Sequence, residues 1–248
     1  MMNNNYYAQD FLSDCASGKI RGTYKVAENE KVKPLWELTP EWRRVRWLDM
    51  SCNQLTLVPP LFGMTKLTTL FLIGNQLTNV SGLHGLTQLE WLGMSDNLLT
   101  DVSDLRGLTQ LNHLCLAANR LTDVSALRDL TKLRKLNLEG NQLKDVSALR
   151  DLTQLTDLYL AGNQLTDVSA LRSFTKLTWL DLCSNELTDV SPLSSMTRLT
   201  TLDLHGNRLT DVSDLSGLTT LEWLDLRGNQ LMDVLALSGL TQLTFLKK

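Results

Sequence analysis

A unit of 22 residues returns along this chain without insertion or loss. It begins at Val45 and again at Leu67, Leu89, Leu111, Leu133, Leu155, Leu177, Leu199 and Leu221, and a tenth copy starts at Leu243. The unit reads LxxLxLxxNxLTDVSxLxxLTx, and its positions 1, 4, 6, 11, 14, 17 and 20 are apolar in all nine full copies. An amphipathic helix would space apolar residues by three and four over several turns. Here the LxL core alternates with period two, as in a half-buried strand, and a bend follows at the asparagine. A repeat this short cannot bury its apolar face alone, so successive coils must stack.

Each unit is expected to be one right-handed coil, with a short strand around LxL and the strands of successive coils pairing in parallel about 4.8 Å apart. The leucines point into the coil, and each one fully buried contributes roughly 1.5–3 kcal/mol, a gross gain largely offset by chain entropy. Asn occupies position 9 in every unit (Asn53, Asn75, Asn97, Asn119, Asn141, Asn163, Asn185, Asn207, Asn229). Its amide both donates and accepts, which suits backbone groups that the corner would leave unpaired inside the stack. Thr recurs at position 21, from Thr65 to Thr241, where a hydroxyl capping the turn into the strand is expected.

The unit, for example LTKLRKLNLEGNQLKDVSALRD, resembles the 22-residue class of leucine-rich repeat found in bacterial internalins and in a eukaryotic regulator of a protein phosphatase. The likeness spans residues 45–246. It implies an α/β solenoid, a right-handed horseshoe with a concave parallel sheet and short helical or 3-10 turns on the convex side, and protein binding on the concave face. Internalins of the family carry an export signal and a wall anchor, neither of which is read in this sequence. Residues 1–44 do not fit the repeat and are expected to form an N-terminal cap, with residues 45–248 as the repeat domain. Trp36 and Trp42 would cover the open end of the core, and Tyr6–Ala16 and the stretch from Thr39 suggest short helices. At the other end Leu243–Leu246 begins a tenth strand with no polar cap behind it. Either the natural chain is longer or this edge pairs with something, such as a second copy.

A net charge of −3 supplies no basic footprint for nucleic acid or an anionic membrane surface. The opening MMNNNYYAQDFLSDC lacks the basic and apolar segments of a secretory leader, and no stretch approaches a membrane span. The expected address is the cytoplasm, with delivery into another cell left open. Cys15, Cys52, Cys115 and Cys183 show no close pairing, so neither a zinc module nor a disulfide framework is suggested.

With the framework positions occupied by the fold, function must lie in the variable ones. Strand positions 3, 5 and 7 point outward by alternation. Four of the six tryptophans fall at position 3: Trp47, Trp91, Trp179 and Trp223. Large rings on a solvated sheet face are favoured interface anchors. Two partner-binding clusters emerge. One holds Trp47, Phe71, Ile73, Trp91 and His113. The other holds Tyr159, Trp179 and Trp223, interleaved with Asp157, Asp181, Asp203 and Asp225. The competing reading is that the rings merely cover neighbouring strands and stiffen the sheet. Asp181, Asp203 and Asp225 form a column of like charges from which a free scaffold should gain nothing, whereas a basic partner would relieve their repulsion. Solvated carboxylates at a tolerant position are the bland alternative, and calcium would want more convergent oxygens.

Arg106, Arg128, Arg150 and Arg172 line position 18, but Asp104, Asp129 and Asp151 beside them make this an ion-paired convex face. His84 is expected to face solvent there. His113 and Cys115 share a face as a thiol–imidazole pair with no orienting carboxylate in view, and Cys183 and His205 offer two metal ligands where zinc wants three or four. No phosphate loop, GxSxG or HExxH is present. The expectation is therefore a binding protein without catalytic residues, metal or cofactor. Its partner would be a protein with a basic or aromatic-accepting surface. Regulation of an enzyme, a secreted effector or adhesion role, and structural self-association through the carboxyl edge are the alternatives.

Overall fold

The computed structural model describes residues 45–59, 61 and 63–248. The expected N-terminal cap, with Trp36 and Trp42, lies outside the described residues. Ten three-residue strands fall on positions 3–5 of successive units. They are β1 (Trp47–Asp49), β2 (Thr69–Phe71), β3 (Trp91–Gly93), β4 (His113–Cys115), β5 (Lys135–Asn137), β6 (Asp157–Tyr159), β7 (Trp179–Asp181), β8 (Thr201–Asp203), β9 (Trp223–Asp225) and β10 (Phe245–Lys247). They form one parallel sheet in strict sequence order. The register keeps equivalent positions opposite each other, so Trp179 faces Thr201, which faces Trp223.

The LxL alternation explains the strand. Leu180 and Leu182 are wholly buried while Trp179 and Asp181 are half-buried on the other face. The interior is one continuous column of such leucines, with Met64, Phe174 and Met196 filling position 20 in three coils. At position 8 the backbone turns through a left-handed conformation in every full coil. Gly supplies it at five of them (Gly74, Gly140, Gly162, Gly206, Gly228), and Cys52, Asp96, Ala118 and Ser184 adopt it at φ of 51–57°.

The asparagine column behaves as its chemistry predicts. Asn163 Oδ1 accepts the N–H of Leu143 in the preceding coil at 3.0 Å, and its Nδ2 donates to the carbonyls of Leu138 and Leu160, both at 3.0 Å. Each asparagine from Asn75 to Asn229 thus stitches two coils together at the corner. The threonines at position 21 do not cap anything: no hydrogen bond of their hydroxyls is found among the described residues. The turn is closed by the backbone instead, as where the Leu89 N–H reaches the Leu86 carbonyl at 3.0 Å.

On the far side each coil from the second to the ninth makes a short 3-10 turn, such as Ser103–Gly107 and Ser169–Ser173. The DVS triplet of the unit starts it. Asp101 Oδ1 accepts the Ser103 N–H at 2.9 Å and Oδ2 accepts the Ser103 hydroxyl at 2.8 Å, a pairing repeated at Asp123, Asp145, Asp167, Asp189 and Asp211. Short polar side chains satisfy local backbone donors where the turn leaves them unpaired. The ninth coil departs from this rule: Leu235 replaces the serine, so Asp233 caps only a backbone N–H, at 3.0 Å. The arginines at position 18 and His84 are exposed on this side.

Candidate functional site

Positions 3, 5 and 7 project from the outer face of the sheet, but not all to the same degree. Trp47, Trp91, His113, Tyr159, Trp179 and Trp223 are half-buried there. Phe71, in contrast, is buried. The reason is Gly93 on the next strand: a Cβ there would stand 2.8 Å from Phe71 Cδ1, so the missing side chain gives the phenyl ring its seat.

The rings meet in pairs across the sheet rather than as two broad clusters. Trp47 meets Phe71 edge-on with centroids 6.0 Å apart, Trp91 stacks on His113 at 3.7 Å, and Tyr159 lies against Trp179 at 6.1 Å. Trp223 stacks on Phe245 at 5.4 Å with the planes 3° apart, and the Lys247 ammonium lies 4.7 Å from the phenyl centroid. Such pairs contribute about 0.5–1.5 kcal/mol each beyond their buried area. They stiffen the sheet and also hold the rings in fixed orientations.

The aspartate column has a local role that the repeat pattern did not reveal. Asp181 Oδ1 accepts the N–H of Cys183 at 3.0 Å, and Asp203 Oδ1 accepts that of His205 at 2.9 Å. The expectation that a free scaffold gains nothing from these residues is therefore corrected: each satisfies a backbone donor two residues on. Asp225 does the same for Arg227 at 3.1 Å and is then clamped by that guanidinium, with Nη2 2.6 Å from Oδ2, which leaves it buried rather than solvated.

The electrostatic states differ accordingly. Burial and then the neighbouring Asp203 push the Asp181 carboxyl up to about 7. Burial also raises Asp203, against the His205 N–H that lowers it. Burial works to raise Asp225 too, but its bonds to Arg227 prevail and hold it below the ordinary carboxylate range. Among the described residues the ion pairs are Lys135–Asp157, Arg208–Glu186 and Arg227–Asp225, so neither Asp181 nor Asp203 is ion-paired.

The expected reactive pairs change their meaning in three dimensions. Cys115 is buried, its Sγ lies 2.8 Å from Ser95 Oγ, and burial raises its pKa, so the thiol is inert beside a histidine that stacks on Trp91. Cys183 offers its sulfur within 4.8 Å of carboxylate oxygens of both Asp181 and Asp203, a donor set that sequence reasoning had limited to Cys183 and His205. Burial and then those two carboxylates drive the Cys183 pKa far up. No helix among the described residues is long and apolar enough to cross a membrane.

With this geometry in view, comparison with known proteins is direct. The family model described as "Leucine rich repeat" matches residues 43–99, 175–231 and 197–247, and a two-copy model of the same repeat matches 87–129 and 131–173. No curated protein matches. Among solved structures, the internalin inlF of Listeria monocytogenes is 32% identical over 84% of this chain and 68% of its own, with a TM-score of 0.72. Internalin C2 of the same organism is 34% identical over 75% of this chain and 82% of its own, with the same TM-score. A plant peptide hormone receptor, RGFR1, solved in complex with RGF2, is 26% identical over 82% of this chain and 39% of its own, with a TM-score of 0.65. Repeat period, asparagine ladder, parallel sheet and family match agree: the chain belongs to the leucine-rich-repeat family.

Proposed function

We propose that this chain is a protein-interaction scaffold that captures a partner protein on the concave face of its sheet, the face turned away from the leucine column, between the aromatic and acidic columns. Leucine-rich-repeat proteins are typically protein–protein interaction scaffolds, and the RGFR1 relative is described as a receptor in complex with RGF2. The observation that carries the reading is the placement of four tryptophans at one strand position, half-buried on the sheet's outer face. Rings so placed are costly to leave in water and are the commonest anchors of interfaces. The partner carries a basic or aromatic-accepting surface, since the carboxylates beside the rings lack enough cations of their own. Replacing Trp179 and Trp223 together by Ala should weaken capture of a co-purifying partner at least tenfold while leaving the circular dichroism unchanged. Undiminished capture by this folded variant would refute the surface.

A second reading is self-association at the ninth coil. There Met232 and Leu235 stand where seven other units place Thr at position 12 and seven place Ser at position 15, and they are 95% and 77% exposed. They border a cleft of about 560 Å³ lined also by Leu231, Val234 and Leu246. Sedimentation should show concentration-dependent association that Met232→Thr with Leu235→Ser abolishes; a monomer at all concentrations would end this reading.

A further inference from the structure

The ninth coil breaks the pattern of its own repeat where its 3-10 turn begins, with Met232 and Leu235 at positions that are Thr and Ser in most other units. Four large apolar side chains stand exposed among the described residues, and three of them, Met232, Leu235 and Leu246, border the cleft at this end. The coil gains nothing from placing Met and Leu in water where small hydroxyls serve elsewhere. An apolar patch of this kind, rimmed by polar groups, marks a contact surface.

The leucine at position 15 also changes the acid beside it. In the coils of Asp101, Asp123, Asp145, Asp167, Asp189 and Asp211, one carboxylate oxygen accepts the serine N–H and the other accepts its hydroxyl. Leu235 has no hydroxyl. Asp233 therefore meets the Leu235 N–H with Oδ1 at 3.0 Å, and its Oδ2 has no donor among the described residues. Lys248 lines the same cleft, is exposed, and enters no ion pair among the described residues. The cleft thus carries one acid and one base beside an apolar strip, and the two are not paired with each other.

We infer that a second copy of this chain covers the cleft by a two-fold rotation, with Met232 and Leu235 of the two copies packed together and Asp233 of each facing Lys248 of the other. Charge complementarity selects this occupant. A partner surface of either sign would meet one of the two charges and strand the other. A copy turned about a two-fold axis presents base to acid and acid to base at once, and apolar strip to apolar strip. Such a contact closes on itself, so the assembly stops at two. It uses none of the position 3 tryptophans, which do not line the cleft.

This inference rests on the self-association reading above, and its test separates the two. Sedimentation equilibrium of the full chain should show monomer and dimer with nothing larger. Asp233→Asn, which keeps an acceptor for the Leu235 N–H, should weaken the dimer several-fold. Asp233→Lys and Lys248→Glu should each weaken it at least tenfold, because like charges then face each other at two places. Mixed in equal amounts, those two variants should recover a dimer holding one of each. In that pair Lys248 of the first still meets Asp233 of the second, and the two introduced charges meet each other. Unchanged circular dichroism confirms that each variant is folded. A species larger than a dimer, a dimer indifferent to the single charge reversals, or a mixture that stays monomeric would overturn the two-fold pairing. If Met232→Thr with Leu235→Ser abolishes an association that the charge variants leave intact, the pairing falls and the self-association reading stands. A monomer at every concentration up to about 1 mM ends both.

Discussion

Replacing Asn163 by Ala probes how the coils are joined. The substitution removes the acceptor of the Leu143 N–H and two donors, one to the Leu138 carbonyl and one to the Leu160 carbonyl. The N–H is then orphaned inside the protein, at a cost of about 1–3 kcal/mol. The two carbonyls fare better, because Asn141 still donates to Leu138 and Asn185 still donates to Leu160, each at 3.0 Å. Each lost bond therefore costs only a net hydrogen bond, about 0.5–1.5 kcal/mol. The sum is roughly 2–6 kcal/mol, a large share of the 5–15 kcal/mol that holds an ordinary domain folded. Urea unfolding followed by circular dichroism reads it as a lower midpoint. Asn137→Ala is the control: its Oδ1 accepts the Glu139 N–H within its own coil, at 2.9 Å, so it should cost no more than about 1.5 kcal/mol. Equal losses for the two variants, or a loss below about 0.5 kcal/mol for Asn163→Ala, would refute the stitching account.

The Asp181 carboxyl, raised to about 7 in the fold from an ordinary value of 3.8, makes stability depend on pH. Between those values the native state binds the extra proton, so stability falls as pH rises through the window, by at most about 1.4 kcal/mol per pH unit for this group, and the loss is complete above about 7. The groups facing it are Asp203, Cys183 and Glu139, with His205 and Arg227 acting on Asp203 behind it. Thermal unfolding at pH 5 and pH 8 should show a decline that Asp181→Asn flattens, and an unchanged decline in that variant would exclude Asp181 as its source. Ala118→Gly should raise stability by about 1 kcal/mol, since Ala118 holds a left-handed φ of 51° that glycine adopts without steric cost; a neutral or negative change in the urea midpoint would show the turn to be unstrained.

The stacked framework was legible because it obeys strict spacing. Leucine at positions 4 and 6 and asparagine at 9 recur every 22 residues, and burial of the one and bonding of the other follow from period and chemistry alone. The DVS triplet was equally regular, yet its Asp–Ser capping pair went unread because polar residues in a turn look alike until the backbone donors they serve are located. Thr at position 21 erred in the other direction: a recurring hydroxyl suggested a cap where the backbone closes the turn itself. The left-handed corner at position 8 was hidden because Cys, Asp, Ala and Ser share it with Gly, so no residue type marks it.

The outer face was harder to read for a reason built into the architecture. In a solenoid each surface side chain is judged not by its sequence neighbours but by the residues 22 before and 22 after it. Phe71 is buried because residue 93 is glycine, and Asp181 is desolvated beside Asp203 with Tyr159 on the strand before. Asp225 escapes the same fate through Arg227, two residues along its own chain. Composition lists Asp181, Asp203 and Asp225 as one column; the lattice separates them into a clamped acid and an unclamped pair. At Asp225 a guanidinium already stands 2.6 Å away, whereas Asp181 and Asp203 have no ion pair among the described residues.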